Sequence, residues 1–226
     1  MSIGTNIKEI KEKLPKGVKL IAVSKTKPIE MIQEAYDSGH LVFGENKALE
    51  LRDKAEILPK DIEWHFIGHL QTNKVKYIIP HAYLIHSVDS LKLMLEIEKQ
   101  SSKINKISNC LFQIDIANEE TKFGFDFNEL LSILSTQEFK RLKHIRFSGV
   151  MGIGSITDDR NKTKEEFSQL RDYFNQIKKE FYSDDNDFNQ ISMGMSDDYI
   201  IAINEGSTMI RIGSSIFGAR NYNQNK

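Results

Sequence analysis

KLIAVSKTKPIEMIQEAYDSGHLVFGE, at positions 19–45, holds the pattern that decides the fold. It opens with a short apolar run, KLIAVSK (19–25), and closes with a second, LVFGE (41–45). Between them, IEMIQEAYDSG places apolar residues three and four apart, as a helix with one buried face does. Strand, helix, strand in that order is a βαβ unit, and such units build parallel sheets. The alternation continues outward along the chain. Further apolar runs are IEWHFIG (62–68), AYLIHSV (82–88), NCLFQIDI (109–116), IRFSGVMGI (145–153), FNQISMG (188–194) and TMIRIGSSIFG (208–218). The segments NKALELRDKAEIL, LQTNKVKYII, SLKLMLEIEKQ, FNELLSILSTQEF, KTKEEFSQLRDYFNQIKKEF and SDDYIIAINEG lie between or beside them with helical spacing.

Eight strands in 226 residues fit a (β/α)8 TIM barrel, a little small for its class, formed as one domain over 1–226. An open doubly wound sheet is the alternative, and eight strands would be large for it. The sequence stops soon after the eighth apolar run, so no eighth helix is expected. TNIKEIKEKL, closed by Pro15 and Gly17, gives instead a helix ahead of strand one, expected to cover the seam between strands eight and one. The polar stretch SDDNDF (183–188) reads as a loop before strand seven.

Hydrophobic residues at 39% and charged residues at 28% are those of an ordinary globular chain with a real core. Lys and Arg number 31 against 32 Asp and Glu, a net charge of −1. That balance argues against nucleic acid, whose phosphates call for a basic face. No apolar run approaches the length of a membrane span, and the charged start MSIGTNIKEIKEKL is not a signal peptide. A cytoplasmic protein is expected. The single cysteine, Cys110, lies within CLFQIDI and reads as a small buried hydrophobe rather than a reactive thiol.

In a barrel of this kind chemistry gathers at the carboxyl ends of the strands. Strand one ends in Ser24-Lys25-Thr26-Lys27-Pro28. A lysine at a buried strand end loses hydration, which favours the neutral amine that attacks an aldehyde. The bland alternative is a lysine that reaches solvent or pairs with a carboxylate. Lys27 and Pro28 are expected to open the next helix. After strand two, Asn46 either caps a helix or points its amide across the mouth. His65 and His69, four apart in a strand and turn, make a poor metal site, with no HExxH and no cysteine partner. Glu119, Glu120 and Lys122 fall in the loop after strand five. Ser192-Met193-Gly194 and Gly213-Ser214-Ser215 put small residues at strands seven and eight, where barrels bind phosphate through main-chain N–H groups. Phosphate there, beside an amine on strand one, suits an aldehyde-bearing phosphate cofactor. A cofactor-free barrel enzyme acting on a sugar phosphate would need a pair of carboxylates, for which Glu45 and Asp115 are the candidates.

The segments AVSKTKP, FGEN, EWHFIGHLQTNK, SMGMSDDYIIAINEGSTMIRIG and IFGAR, spread over 22–220, resemble the pyridoxal phosphate homeostasis protein family, relatives of the alanine racemase N-terminal barrel. The resemblance implies pyridoxal 5′-phosphate (PLP) as cofactor and Lys25 as the residue that forms its Schiff base. It implies further cofactor contacts from Asn46, Ser192, Gly194, Arg211, Gly213 and Ser214. The last four of these and Ser192 would hold the phosphate and ring, with Arg211 facing the ring nitrogen. Residues 95–108 and 155–187 carry no matching motif. His69 in GHLQ, where relatives often carry another residue, adds a titratable group near the mouth.

A guanidinium cannot accept a proton, so a ring nitrogen facing Arg211 stays unprotonated and withdraws electrons weakly. The racemase relatives add a second domain that brings an opposing base, which this sequence is not expected to have. The reading is therefore a non-catalytic PLP-binding protein that buffers or delivers the cofactor, with PLP-dependent apoenzymes as recipients. It is expected to be a monomer or weak dimer with a site complete in one chain. An amino-acid racemase, with His65, His69 or Lys122 as the second base, is the alternative.

Overall fold

Eight parallel strands close on themselves in chain order, with β1 hydrogen-bonded to both β2 and β8 in this computed structural model, which describes residues 2–117 and 123–218. The strands are β1 (Lys19–Val23), β2 (Val42–Glu45), β3 (Glu63–Phe66), β4 (Ala82–Val88), β5 (Ser108–Gln113), β6 (Ile145–Met151), β7 (Gln190–Ser192) and β8 (Met209–Ile212). The helices are α1 (Ile3–Glu12), α2 (Ile29–Asp37), α3 (Ala48–Ile57), α4 (Val75–Ile78), α5 (Leu91–Lys103), α6 (Phe127–Leu134), α7 (Gln137–Lys140), α8 (Arg160–Phe181), α9 (Tyr199–Asn204) and α10 (Ser214–Phe217). This is the expected (β/α)8 barrel.

Strand alternation sorts the core into two parts. Leu20, Ala22, Phe43, Trp64, Phe66, Ile85, Cys110, Phe112, Phe147, Val150, Ile191 and Ile210 face outward and pack under the helices. Ile21, Leu84, Leu111, Met151 and Met209 face inward and fill the barrel. Cys110 is fully buried in the outer layer, where burial pushes its thiol far up; it is the small hydrophobe expected.

The helices begin where local chemistry favours them. Ser2, Ser90 and Asp126 each accept a main-chain N–H at the start of α1, α5 and α6. Asp159 caps α8 in the same way. Two of the expected helical segments and one expected strand are shortened or divided. LQTNKVKYII forms a 3-10 turn at Thr72–Lys74 followed by the one-turn α4. FNELLSILSTQEF splits into α6 and α7, because Thr136 caps a new turn with its own hydroxyl. The run TMIRIGSSIFG is not one strand: β8 stops at Ile212 and α10 begins at Ser214, so a short helix does follow strand eight.

Helix α1 takes the position inferred for it. It lies between α2 and α10: Ile3 N donates to Glu34 Oε1 (2.9 Å), and Asn6 Nδ2 donates to Ile216 O (2.9 Å). Its Ile3, Ile7 and Ile10, spaced three and four apart, are buried in the outer layer of the core. SDDNDF is a loop between α8 and β7, as read. Among the described residues no helix is long and apolar enough to cross a membrane.

Candidate functional site

The strand ends surround a cavity of about 430 Å³ at the mouth of the barrel. Five of the seven residues singled out from sequence line it: Lys25 after β1, Asn46 after β2, and Arg211, Gly213 and Ser214 at the end of β8 and the start of α10. Lys25 is half-buried and lines the cavity. Asn46 does not cap a helix; Lys47 holds that position ahead of α3. Asn46 Oδ1 is buried and has no partner among the described residues. At Gly213 the main chain runs close to β1: a Cβ there would sit 3.2 Å from Val23 O and 3.3 Å from Val23 Cβ, a tight fit. Its absence keeps the main chain open at the point where α10 starts. The first N–H groups of that helix have no intrahelical acceptor.

Ser192 and Gly194 do not line the cavity. Ser192 ends β7 on the inward face, fully buried. Its Oγ accepts from Arg211 Nη1 (2.7 Å) and lies 2.9 Å from His86 Nδ1. Gly194 turns the chain with φ +94, where a Cβ would meet Ala202 Cβ at 2.6 Å, and its carbonyl accepts from Arg211 N (3.0 Å). Both residues therefore brace Arg211 from below. The guanidinium also donates to Ser192 O (2.8 Å) and Gly152 O (3.1 Å). Burial lowers its pKa to about 10, opposed by the charge of Asp198, so it is cationic at neutral pH.

That arrangement sets the hydrogen bonds of the barrel interior. A guanidinium only donates. The Ser192 hydroxyl, accepting from it, turns its own proton toward His86 Nδ1. His86 Nε2 then carries the ring proton and donates to His65 Nδ1 at 2.8 Å. Burial lowers both imidazole pKa values, and that of His86 well below its ordinary value, so both rings are neutral. His65 is thus an interior residue, not a ligand at the mouth.

Several wall residues were not singled out from sequence. Val23, Ile67 and Ile153 give apolar sides, and Met195, Ser196 and Asp197 form the β7 side. Ser214 Oγ donates to Ser196 Oγ at 3.1 Å. The signal for Ser196 was present, a serine just beyond Gly194, but the strand run was read to 194 when β7 ends at Ser192. Lys27 also lines the cavity. It does not open α2, for which Pro28 is the cap. Its Nζ donates instead to Phe217 O (3.0 Å) and Gly218 O (3.1 Å), tying the turn after β1 to the end of α10. Among the described residues, the wall thus carries three cations, Lys25, Lys27 and Arg211, against one carboxylate, Asp197.

His69 lies outside this wall. Its ring stacks on Phe123 (centroids 3.6 Å apart) and Nδ1 is 3.1 Å from Asp89 Oδ2. Glu45 and Asp115, the candidate carboxylate pair, are not in the wall either. Glu45 is fully buried, and burial raises its carboxyl to about 7 against the pull of Lys54. Glu119, Glu120 and Lys122, and Ala219 and Arg220 of IFGAR, lie outside the described residues.

Comparison with known proteins gives the family and the fold. Residues 2–221 match the family described as alanine racemase, N-terminal domain. A pyridoxal phosphate homeostasis protein of Pasteurella multocida is 39% identical over 211 residues, covering 92% of this chain and 89% of that protein. The structure of PipY from Synechococcus elongatus with PLP bound superposes with a TM-score of 0.87 at 31% identity, covering 96% of this chain and all of that one. An alanine racemase of Clostridium difficile shares the barrel alone, with a TM-score of 0.74 at 14% identity over 58% of its length.

Proposed function

We propose that this chain, which belongs to the pyridoxal phosphate homeostasis protein family and is built on the alanine racemase N-terminal barrel, binds PLP in the mouth cavity and holds it covalently on Lys25. The observation that carries the reading is the convergence of three cations, the half-buried Lys25 among them, and the main-chain turn at Gly213 on one cavity of suitable size. The donor set fits the cofactor. Ser196, Gly213 and Ser214 would hold the phosphate through hydroxyl and N–H groups, and Val23, Ile67 and Ile153 would flank the ring. Asn46 Oδ1, buried without a partner among the described residues, would accept from the ring hydroxyl. When bound, PLP supplies an aldehyde carbon that a neutral lysine amine attacks with loss of water. Ser192 and Gly194 contribute by fixing Arg211.

The protein's role is to bind, buffer or deliver PLP within the cytoplasm, as a monomer or weak dimer serving PLP-dependent apoenzymes, and not to catalyse a reaction on it. Two features support the non-catalytic reading. Arg211 is locked as a donor by three hydrogen bonds, so a ring nitrogen facing it would stay unprotonated and a carbanion poorly stabilised. His65 and His69, considered as a second base, are held elsewhere, and Asp197 directly follows Ser196 at the phosphate end. The likeness to alanine racemase is one of fold and carries no activity. Two measurements test the proposal. Purified protein should absorb in the visible with PLP, and borohydride should fix the cofactor to the Lys25 peptide. Solvent deuterium should not enter Cα of alanine or serine at an enzymatic rate. Enzyme-like exchange, or fixation at another lysine, refutes it.

A further inference from the structure

A buried lysine and glutamate, joined by a half-buried second glutamate, lie next to the site without lining the cavity. Lys54, in α3, is 6% exposed, and Glu45, at the end of β2, is 0% exposed. Lys54 Nζ donates to Glu45 Oε1 (2.7 Å), Glu50 Oε1 (2.7 Å) and Ser24 O (2.9 Å), which uses all three ammonium protons. Ser24 Oγ donates to the same Glu45 oxygen (2.6 Å). Thr26 N donates to the same Glu50 oxygen (2.6 Å). The hydrogen bonds from this group to the end of β1 and its turn fall on Ser24 and Thr26, the two neighbours of Lys25.

Those neighbours need holding. Thr26 has φ +62, a left-handed conformation that a β-branched residue adopts at a cost. Desolvating a lysine and a carboxylate is also costly, and apolar side chains of similar volume often stabilise a core as well or better. A group so placed is explained by what it fixes. Lys54 draws Ser24 O toward α3 while Glu50 accepts the N–H on the far side of Lys25. The main chain is thereby pinned at both ends of one residue, whose side chain is left to face the cavity.

We propose that Lys54, with Glu45 and Glu50, positions Lys25 by clamping the main chain at Ser24 and Thr26, so that the amine is presented to the cofactor at the reacting distance. The inference rests on the reading that Lys25 carries PLP. These three are positioning residues, since none lines the cavity that Lys25 enters.

The experiment compares full-length wild type with Lys54→Met and Glu50→Ala, using two probes. Pyridoxine 5′-phosphate has the phosphate and ring but an alcohol where PLP has its aldehyde, so its dissociation constant reads the cradle alone. The rate at which visible absorbance develops with PLP, together with the fraction of Lys25 peptide fixed by borohydride, reads presentation of the amine. Attachment should slow at least tenfold in Lys54→Met and at least threefold in Glu50→Ala, with pyridoxine phosphate affinity within twofold of wild type. A variant that attaches PLP at the wild-type rate overturns the clamp, as does an equal fall in both quantities, which would mean a damaged mouth instead of a misplaced lysine. Glu50 is half-buried at the edge of the group, so Glu50→Ala decides the matter if Lys54→Met does not fold. If Lys25 of the wild type is not fixed at all, the parent reading fails and not the clamp.

Discussion

Replacing Ser192 with alanine should separate stability from cofactor binding. The Ser192 hydroxyl accepts from Arg211 at 2.7 Å and faces His86 Nδ1 at 2.9 Å, in a part of the barrel with no solvent access. Alanine leaves His86 Nδ1 without a partner and takes one of three hydrogen bonds from the guanidinium. A buried polar group left unsatisfied costs about 1–3 kcal/mol, and bonds to charged groups lie at the upper end. A loss of roughly 2–3 kcal/mol in the PLP-free protein follows. At about 2–4 °C per kcal/mol for a chain of this size, the melting temperature should fall by roughly 4–12 °C. Cofactor affinity should change far less, by under about threefold, because the remaining Arg211 contacts are to the carbonyls of Ser192 and Gly152, which the substitution keeps. Thermal or urea unfolding of PLP-free protein gives the first quantity, and absorbance titration gives the second. Unchanged stability with a tenfold loss of PLP affinity would refute the buried placement of Ser192 and restore it as a direct phosphate ligand.

Lys25→Ala should abolish the visible absorbance and borohydride fixation while leaving weak, phosphate-dependent binding; a normal spectrum in that variant would reassign the attachment site. Ser214→Asp should weaken PLP binding at least about tenfold, because it sets a like charge against the phosphate in a partly enclosed cavity, and unchanged affinity on titration would remove Ser214 from the cradle. Stability should also fall in acid through His40. Burial lowers this imidazole from 6.5 to about 4, so below pH 6.5 the unfolded chain takes up a proton that the folded one refuses. The contribution is complete above pH 6.5 and is lost as pH falls toward 4, about 2 kcal/mol between pH 7 and 5. His40→Gln should flatten the urea-unfolding free energy over that interval by this amount, and an unaltered slope would contradict it.

Local periodicity was enough to count the strands and to alternate them with helices, from which a barrel was preferred to an open sheet, because the spacing of apolar residues is set by each element's own contact with core or solvent; closure in chain order is seen only in the tertiary structure. Periodicity also put Lys25, Arg211, Gly213 and Ser214 at the right ends of the right strands, since position along a strand is position along the barrel axis. Asn46 was legible in place, and the tertiary structure excludes the helix-cap alternative, since Lys47 holds that position. What periodicity could not show was which way side chains point inside the barrel. Strands buried on both faces read as continuous apolar runs, so inward and outward positions look alike. His86, inside AYLIHSV, drew no attention as the partner of Ser192 and His65, and Ser192 itself looked like a mouth residue until β7 was seen to end there. Lys54, within the charged segment ELRDKAE, looks like a solvated helix face and is instead buried. Only closure of the barrel brings the end of β2, the face of α3 and the turn after β1 together, and their shared desolvation then makes a lysine and two glutamates pair around Ser24 and Thr26.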